Sequence, residues 1–520
     1  MGKTIRGAHG IRLLGVAMVC FLAQACLSGA SRSAYDSDND RPDASDGASF
    51  DSDLPAPVRE SPLHEMTAAS EERPSRPNFV VVMADDLGFG DLGVYGSRTA
   101  KTPHLDTLAS QGMRFTQAYA GNTVCTPSRA ALLTGRAGRK QRLPGRVGGV
   151  YFPDAPGGMA LEEVTIAEVL AKRGYATAIV GKWHLGDAQE FLPTRQGFDT
   201  FFGLPYSNNM DPLPVFEDEE VVNVIRLPPP MELAGEPDSE LSTLTEQYTE
   251  RALAFIRDAH ADGRPFLLYY PTHLPHAPIT PSAAFAGRSA PCEGPASERP
   301  CGRYADVLME LDASVGAIVS ELSTLGIAQN TLVVFTSDNG AWLELGADSG
   351  SNGPLRAGKG TTFEGGYRVP LIATWPGTIP AGVVEDTPVA MVDWFPTVVV
   401  EAGAELPTDR RLDGVALGPL LRGVGERNSD GPFRFIYYRI DNTTPGAFRE
   451  GRWKYKAAVT GREGLSQFDH EELLFDLSTD PGEITDLAAD HPDVLARLRL
   501  GLLAAQMRSR ELKQPAPAAP

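Results

Sequence analysis

A chain of 520 residues, 42% of them apolar, is long enough for one large domain with a smaller companion and too apolar for wholesale disorder. Its 47 basic and 67 acidic residues leave a net charge of −20 with no basic stripe, which excludes a nucleic-acid binder driven by counterion release.

The first 26 residues read as a signal peptide. Lys3, Arg6 and Arg12 precede the apolar run Leu13–Ala23, and Ala23-Gln24-Ala25 forms a small-x-small cleavage site. The run is too short for a membrane span, which takes about 20 apolar residues. Cys26 stands where a bacterial lipoprotein carries its lipid, but Ala23 replaces the usual Leu of that motif. Residues 27–76 read as a solvated linker, rich in Ser, Asp and Gly and without period. The chain is therefore expected to be exported. A periplasmic protein, a cell-surface lipoprotein anchored at Cys26 and a secreted protein all stay open, and the lipid is the one membrane attachment expected. Past Cys26 only three cysteines remain. Cys292 and Cys301 flank a Pro- and Gly-containing loop and are expected to pair as a disulfide in an oxidising compartment. That leaves Cys125 alone.

From Pro77 strands and helices alternate. Asn78–Met83 is a continuous apolar strand of the buried type, ending at Asp85-Asp86. Helices are expected at Leu105–Gly112, Ser128–Thr134 and Ile166–Arg173, the last closed by Gly174. Ala176–Val180 is a second buried strand, running into Lys182-Trp-His184. The helix Thr249–Ala259 leads to a strand, Phe266–Tyr270, that ends near His273. The amphipathic helix Tyr304–Leu325, with Val307, Leu311, Val315, Ile318 and Leu322 on one face, leads to the strand Thr331–Thr336 and then Asp338-Asn339. Such alternation predicts an α/β fold, a large mainly parallel sheet flanked by helices, over residues 77–414. Strands at Phe433–Tyr438 and Trp453–Val459, without a crossover helix, predict a smaller α+β subdomain of antiparallel strands over residues 415–510. The helix Pro492–Arg508 closes it, and residues 511–520 are a tail.

The chemistry-bearing residues follow strand C-termini, where open parallel sheets bind ligands. Asp85, Asp86, Asp338 and Asn339 make an all-oxygen set suited to Ca²⁺, with Mg²⁺ as an alternative. Asp-Asp-Leu-Gly and Asp-Asn-Gly are each ordinary turn sequences, but together, after separate buried strands, they favour a metal. Cys125 precedes a helix with Arg129 one turn in, a positive field that favours an anion.

Cys125-Thr-Pro-Ser-Arg129 followed by Leu132-Leu-Thr-Gly-Arg136 resembles the signature of the formylglycine-dependent sulfatases, of the alkaline-phosphatase-like superfamily. Asp85-Asp86, Gly181-Lys182-Trp-His184-Leu-Gly186, His273-Leu-Pro-His276, Asp338-Asn339-Gly340 and Gly358-Lys359-Gly-Thr-Thr-Phe-Glu-Gly-Gly366 occur in that family's order. Phe202-Gly-Leu-Pro-Tyr-Ser207, Trp453-Lys-Tyr-Lys456 and Leu474-Phe-Asp-Leu-Ser-Thr-Asp-Pro-Gly482 are most similar to its arylsulfatase A and N-acetylgalactosamine-6-sulfatase group. The resemblance implies that a formylglycine-generating enzyme oxidises Cys125 to an aldehyde, whose hydrate attacks sulfur and then releases sulfate. It implies Ca²⁺ at Asp85, Asp86, Asp338, Asn339 and residue 125, and Arg129 orienting the hydrate. His184 is the implied base. Lys182 and Lys359 bind sulfate oxygens, with Lys359 and His273 at the leaving oxygen. His276 is left as support, and Ser207 is a further substrate contact. The expected substrate is an aryl sulfate, sulfated carbohydrate or sulfolipid. The competing readings are a phosphatase or phosphonate monoesterase of the same superfamily, and an inactive sulfated-glycan-binding relative.

Overall fold

The computed structural model describes residues 76–146, 149–227, 239–292, 300–427, 431–459 and 471–511. The expected signal peptide, the lipid-attachment cysteine, the linker before Arg76 and the tail after Glu511 lie outside them. The strands of the large sheet are β1 (Asn78–Ala84), β2 (Met113–Tyr119), β3 (Ala176–Lys182), β4 (Thr200–Leu204), β5 (Leu213–Glu217), β6 (Glu220–Ile225), β7 (Phe266–Pro271), β8 (Thr331–Ser337), β9 (Arg368–Thr374), β10 (Val383–Glu385) and β11 (Val389–Ala390). Their spatial order is β10-β2-β9-β8-β1-β7-β3-β4-β5-β6, with β11 also on β2.

The continuous apolar run of β1 has a direct cause. Phe79, Val81 and Met83 point into one core cluster, and Val80, Val82 and Ala84 into another. Helices Cys125–Thr134, Ile166–Ala171 and Trp394–Glu401 cover the first face. Helices Pro103–Ser110, Leu244–Ala261 and Gly302–Thr324 cover the second. The predicted stripe Val307, Leu311, Val315, Ile318 and Leu322 is buried there, each such side chain contributing about 1.5–3 kcal/mol relative to exposure. The Ile166–Ala171 helix starts at a capping box: Glu168 N donates to Thr165 Oγ1 at 3.1 Å, and Thr165 N to Glu168 Oε2 at 2.7 Å.

Strands β8, β1, β7, β3 and β4 run parallel, as the alternation predicts. Strand β9 does not. It lies antiparallel between β8 and β2, and the long segment that joins it to β8 holds only the short helices Leu343–Asp348 and Glu364–Tyr367, with no crossover helix of the kind that returns a parallel strand. The second sheet is antiparallel, in the order β12 (Arg434–Tyr438), β13 (Pro445–Glu450), β14 (Trp453–Lys456), β15 (Leu473–Asp476). Sequence reading anticipated β12 and β14 but neither β13 between them nor β15. One face of this sheet packs through Phe448, Tyr455 and Leu474 on Leu498 and Leu502 of the helix Pro492–Glu511. The other face joins Tyr437 and Ala447 to Tyr119 and Tyr367 of the large sheet's end. Cys292 and Cys301 are joined by a disulfide, and Cys125 is the free cysteine among the described residues.

Candidate functional site

Four strand ends supply the site. Asp85 and Asp86 leave β1, Lys182 ends β3 with His184 just beyond, His273 and His276 follow β7, and Asp338 and Asn339 follow β8. Parallel neighbours bring these ends together from distant parts of the chain. Cys125 is not before its helix, as the sequence suggested, but is its first residue, with Val124 extended at the N-cap. No side chain caps that helix start, so its first turn keeps the positive end of the helix dipole beside Cys125. Gly340 is required by a close approach: a Cβ there would lie 1.8 Å from the Gly365 carbonyl oxygen. Asp86 and His184 adopt positive φ, 65° and 62°, a conformation that costs about 1–3 kcal/mol for a non-glycine residue and clusters at functional sites.

Three carboxylates meet three cations in a dry space. Asp85 Oδ2 accepts from Lys182 Nζ at 2.6 Å and lies 3.6 Å from Arg129 Nη2, while Cys125 Sγ donates to Asp85 Oδ1 at 3.4 Å. Asp86 Oδ2 accepts from Lys359 Nζ at 2.7 Å and Oδ1 from Asn339 Nδ2 at 2.7 Å. Asp338 Oδ2 accepts from Arg129 Nη2 at 2.9 Å and Nε at 3.2 Å, and its Oδ1 from Asp86 N at 3.1 Å. Arg129 Nη1 donates to the Lys182 carbonyl at 2.8 Å. Ligand atoms of Asp85, Asp86, Cys125 and His276 lie within 4.8 Å of one another.

The charges shift each other. Burial pushes Asp85 up, but Lys182, His276 and Arg129 together hold it well below the usual carboxylate range. Burial and the Asp85 charge push Asp338 up to about 7. Burial, then Asp338, raises the Cys125 thiol well above its ordinary value. Burial and the cations Lys182 and Arg129 lower His184, and burial lowers His273 to about 3 and His276, with Lys359, to about 4. The three imidazoles are therefore neutral near neutral pH.

The two histidines after β7 part company. His276 N donates to the His273 carbonyl at 3.0 Å, closing a turn. His276 Nε2 then lies 3.6 Å from Asp86 Oδ2 and 3.3 Å from Ser207 Oγ. The His273 ring instead packs edge-on to Tyr248 at 5.6 Å, with Nδ1 buried and without a hydrogen-bond partner. Ser207 Oγ is engaged on both sides, accepting from Lys182 Nζ at 3.0 Å and facing His276. Sequence reading missed the place of His276; its position three residues after His273, at the same strand end, was the available signal. It also missed Tyr151, whose carbonyl faces His184 Nε2 at 2.9 Å. A carbonyl only accepts, so Nε2 carries the proton and Nδ1, which has no partner, keeps its lone pair.

The sulfatase family model matches residues 77–404, well over half of the chain. The chain belongs to the sulfatase family. A second model, of the N-sulphoglucosamine sulphohydrolase C-terminal region, matches residues 358–507. The chain is similar to arylsulfatase A of Homo sapiens, 42% identical over 467 residues that cover 83% of this chain and 88% of the relative. It is also similar to N-acetylgalactosamine-6-sulfatase of Sus scrofa, 40% identical over 480 residues, 84% and 87% of the two chains. Among solved structures it resembles Ps i-CgsB in complex with k-i-k-neocarrahexaose, with TM-score 0.69, 28% identity, and 85% and 94% coverage. This sulfatase is accordingly a sulfuric ester hydrolase. Its fold is that of the alkaline-phosphatase-like superfamily.

Proposed function

We propose that this sulfatase is exported and releases sulfate from aryl sulfates or sulfated carbohydrates, with formylglycine made from Cys125 and Ca²⁺ at the adjoining carboxylates. The observation that carries this reading is the state of Cys125. Its thiol is buried at a helix N-terminus and donates to Asp85, and burial and Asp338 hold it protonated. A protonated thiol is a poor nucleophile, so unmodified cysteine fits the site badly. Converted to formylglycine hydrate, the same position supplies one hydroxyl to attack sulfur and a second whose loss of a proton frees sulfate.

The donor set fits a hard divalent cation. Asp85, Asp86 and Asp338 are buried, and Asn339 Oδ1 is buried with no hydrogen-bond partner. These oxygens suit Ca²⁺ or Mg²⁺, which when bound neutralises an anionic ester and lowers the pKa of an adjoining hydroxyl. The charge count agrees. A bound divalent ion would hold all three carboxylates ionised, Arg129, Lys182 and Lys359 balance them, and the ion then leaves the cavity at +2, attractive to a sulfate ester. Among the described residues Asp85, Asp86, Cys125 and His276 form the one group of three or more acids, Cys and His with ligand atoms close enough to hold a metal, and a single such group supports the sulfatase chemistry over a two-metal phosphoesterase.

Lys182 and Lys359, at opposite carboxylates, bind sulfate oxygens, and Arg129 holds Asp85 and Asp338 in place. His184 Nδ1 takes the hydroxyl proton that drives sulfate release. The sequence reading gave the leaving oxygen to His273 and Lys359. The geometry favours His276 with Lys359, because Lys359 and His276 share the Asp86 carboxylate while His273 packs on Tyr248. Nδ1 of His276 donates to the Ala277 carbonyl at 2.6 Å, so the neutral ring presents Nε2 to the site as an acceptor, and the proton that reaches the leaving oxygen comes from the Lys359 ammonium beside it. Export is supported by the N-terminal signal pattern and by the Cys292–Cys301 disulfide. A sugar substrate is supported by the relative captured with an oligosaccharide and by the relative named for an N-acetylgalactosamine sulfate.

The test is expression with a formylglycine-generating enzyme, followed by assay on 4-nitrophenyl sulfate, 4-nitrophenyl phosphate and a phenyl phosphonate ester. Sulfate release should dominate, and the peptide containing Cys125 should be about 18 Da lighter than the thiol form. Active enzyme with an intact thiol, or faster turnover of the phosphorus esters, would sink the reading.

A further inference from the structure

The charged side chains of the site see different amounts of water, and the gradient shows which way the site opens. Asp85, Arg129 and Lys182 are 0% exposed, Asp86 2%, His276 4% and Lys359 15%. The open side is therefore the Lys359 side. Trp342 stands there. Its ring lies 5.0 Å from Lys359 Nζ and 5.9 Å from the His276 ring, and it is half-buried.

The chain fixes it in that place. Ala341 N donates to Asn352 Oδ1 at 3.0 Å, and the Ala341 carbonyl accepts from Lys359 N at 3.1 Å. Trp342 is then extended before the helical turn Leu343–Asp348, with part of its ring packed against the core cluster behind β1. The part left open borders the same exit that the non-sulfate portion of any substrate must use.

We propose, resting on the sulfatase reading above, that Trp342 is the specificity-determining platform for the ring that bears the sulfate ester, so that this enzyme selects pyranosyl or aryl sulfates over acyclic ones. An ester whose sulfate is held by Lys182 and Lys359 places its first ring beside the indole. A pyranose presents a C–H face and an aryl group an edge or offset face, both complementary to the negative face of the indole. The Lys359 ammonium lies 5.0 Å from the same ring, which places a sulfate held by Lys359 next to the platform.

The bland alternative is that Trp342 only shields Lys359, and substrate choice separates the two. Trp342→Ala, Trp342→Leu and Trp342→Phe are compared with wild type on 4-nitrophenyl sulfate, a 6-sulfated N-acetylhexosamine and n-butyl sulfate, reading released sulfate. For the two ring substrates the Ala and Leu variants should raise KM about tenfold while kcat stays within about twofold, and Phe should recover most of the loss. KM for n-butyl sulfate and inhibition by inorganic sulfate should not move. Unchanged KM for the ring substrates would overturn the proposal. A shared fall in kcat for all three esters, or weaker inhibition by sulfate, would also overturn it, because Trp342 would then act only through Lys359. The Leu variant keeps apolar bulk and carries the test if the Ala variant fails to fold. Wild-type enzyme that releases sulfate from none of the esters would overturn the sulfatase reading itself, a result distinct from normal turnover in every variant.

Discussion

Replacing Lys454 by Met removes an ammonium held between two buried carboxylates while keeping most of the side chain's bulk. Lys454 Nζ lies 2.9 Å from Glu364 Oε1 and 2.9 Å from Glu483 Oε1, and all three side chains are 0% exposed. Glu364 also accepts from Tyr437 and Tyr119 hydroxyls at 2.8 and 2.7 Å, and Glu483 Oε2 accepts from Glu364 N. Breaking one side of a buried ion pair destabilises by about 3–5 kcal/mol, since the partners keep their desolvation and lose their counter-charge. At an unfolding entropy of about 2 cal/mol/K per residue, this is a fall in Tm of about 3–5 °C for a chain of this size. The pH dependence has a definite sign. In the wild type burial pushes Glu364 up, but Lys454, Arg368 and Arg449 hold it at about 2, below its ordinary 4.5. That depressed group contributes stability which is present above pH 4.5 and is lost as pH falls towards 2. Without Lys454 both carboxylates rise; Glu483 is already raised by burial. A raised carboxylate binds protons in the folded state first, so the variant should regain stability as pH falls from 8 to 5.5. Activity should fall too, because Glu364 anchors the segment after Lys359. Calorimetry at both pH values, with kcat/KM, checks this. An unchanged Tm, or a deficit equal at both pH values, would refute the reasoning.

Chelation, or Asp338→Ala, should abolish activity, and Ca²⁺ or Mg²⁺ should restore the chelated wild type; stoichiometric zinc in an enzyme fully active without calcium would instead favour the phosphoesterase reading. Cys125→Ala should eliminate turnover with Tm nearly unchanged in thermal melts, since the position contributes chemistry and little packing. His184→Ala should slow all esters alike in steady-state assays. The defect of His276→Ala should shrink as the leaving alcohol becomes more acidic, because a good leaving group needs less protonation. The same leaving-group pattern at His273→Ala, and none at His276→Ala, would return the role to His273.

Local pattern by itself determined much of this protein. The β1 run is uniformly apolar because both faces of the central strand are buried, and the helix Gly302–Thr324 carries a one-sided stripe because only one face is. Those periodicities gave the α/β class and put the motifs at strand C-termini, and the family's blocks gave Cys125, Lys182, His184 and Lys359. Tertiary structure decided the rest. Asn339 reaches Asp86 across 253 residues and Lys454 reaches Glu364 across 90, distances over which side-chain period carries no information. The antiparallel course of β9, the two histidines of one short turn aimed at different neighbours, and Trp342 at the opening depend on which strands lie side by side. Strand order is fixed by the packing of the whole sheet, and no stretch of sequence encodes it alone.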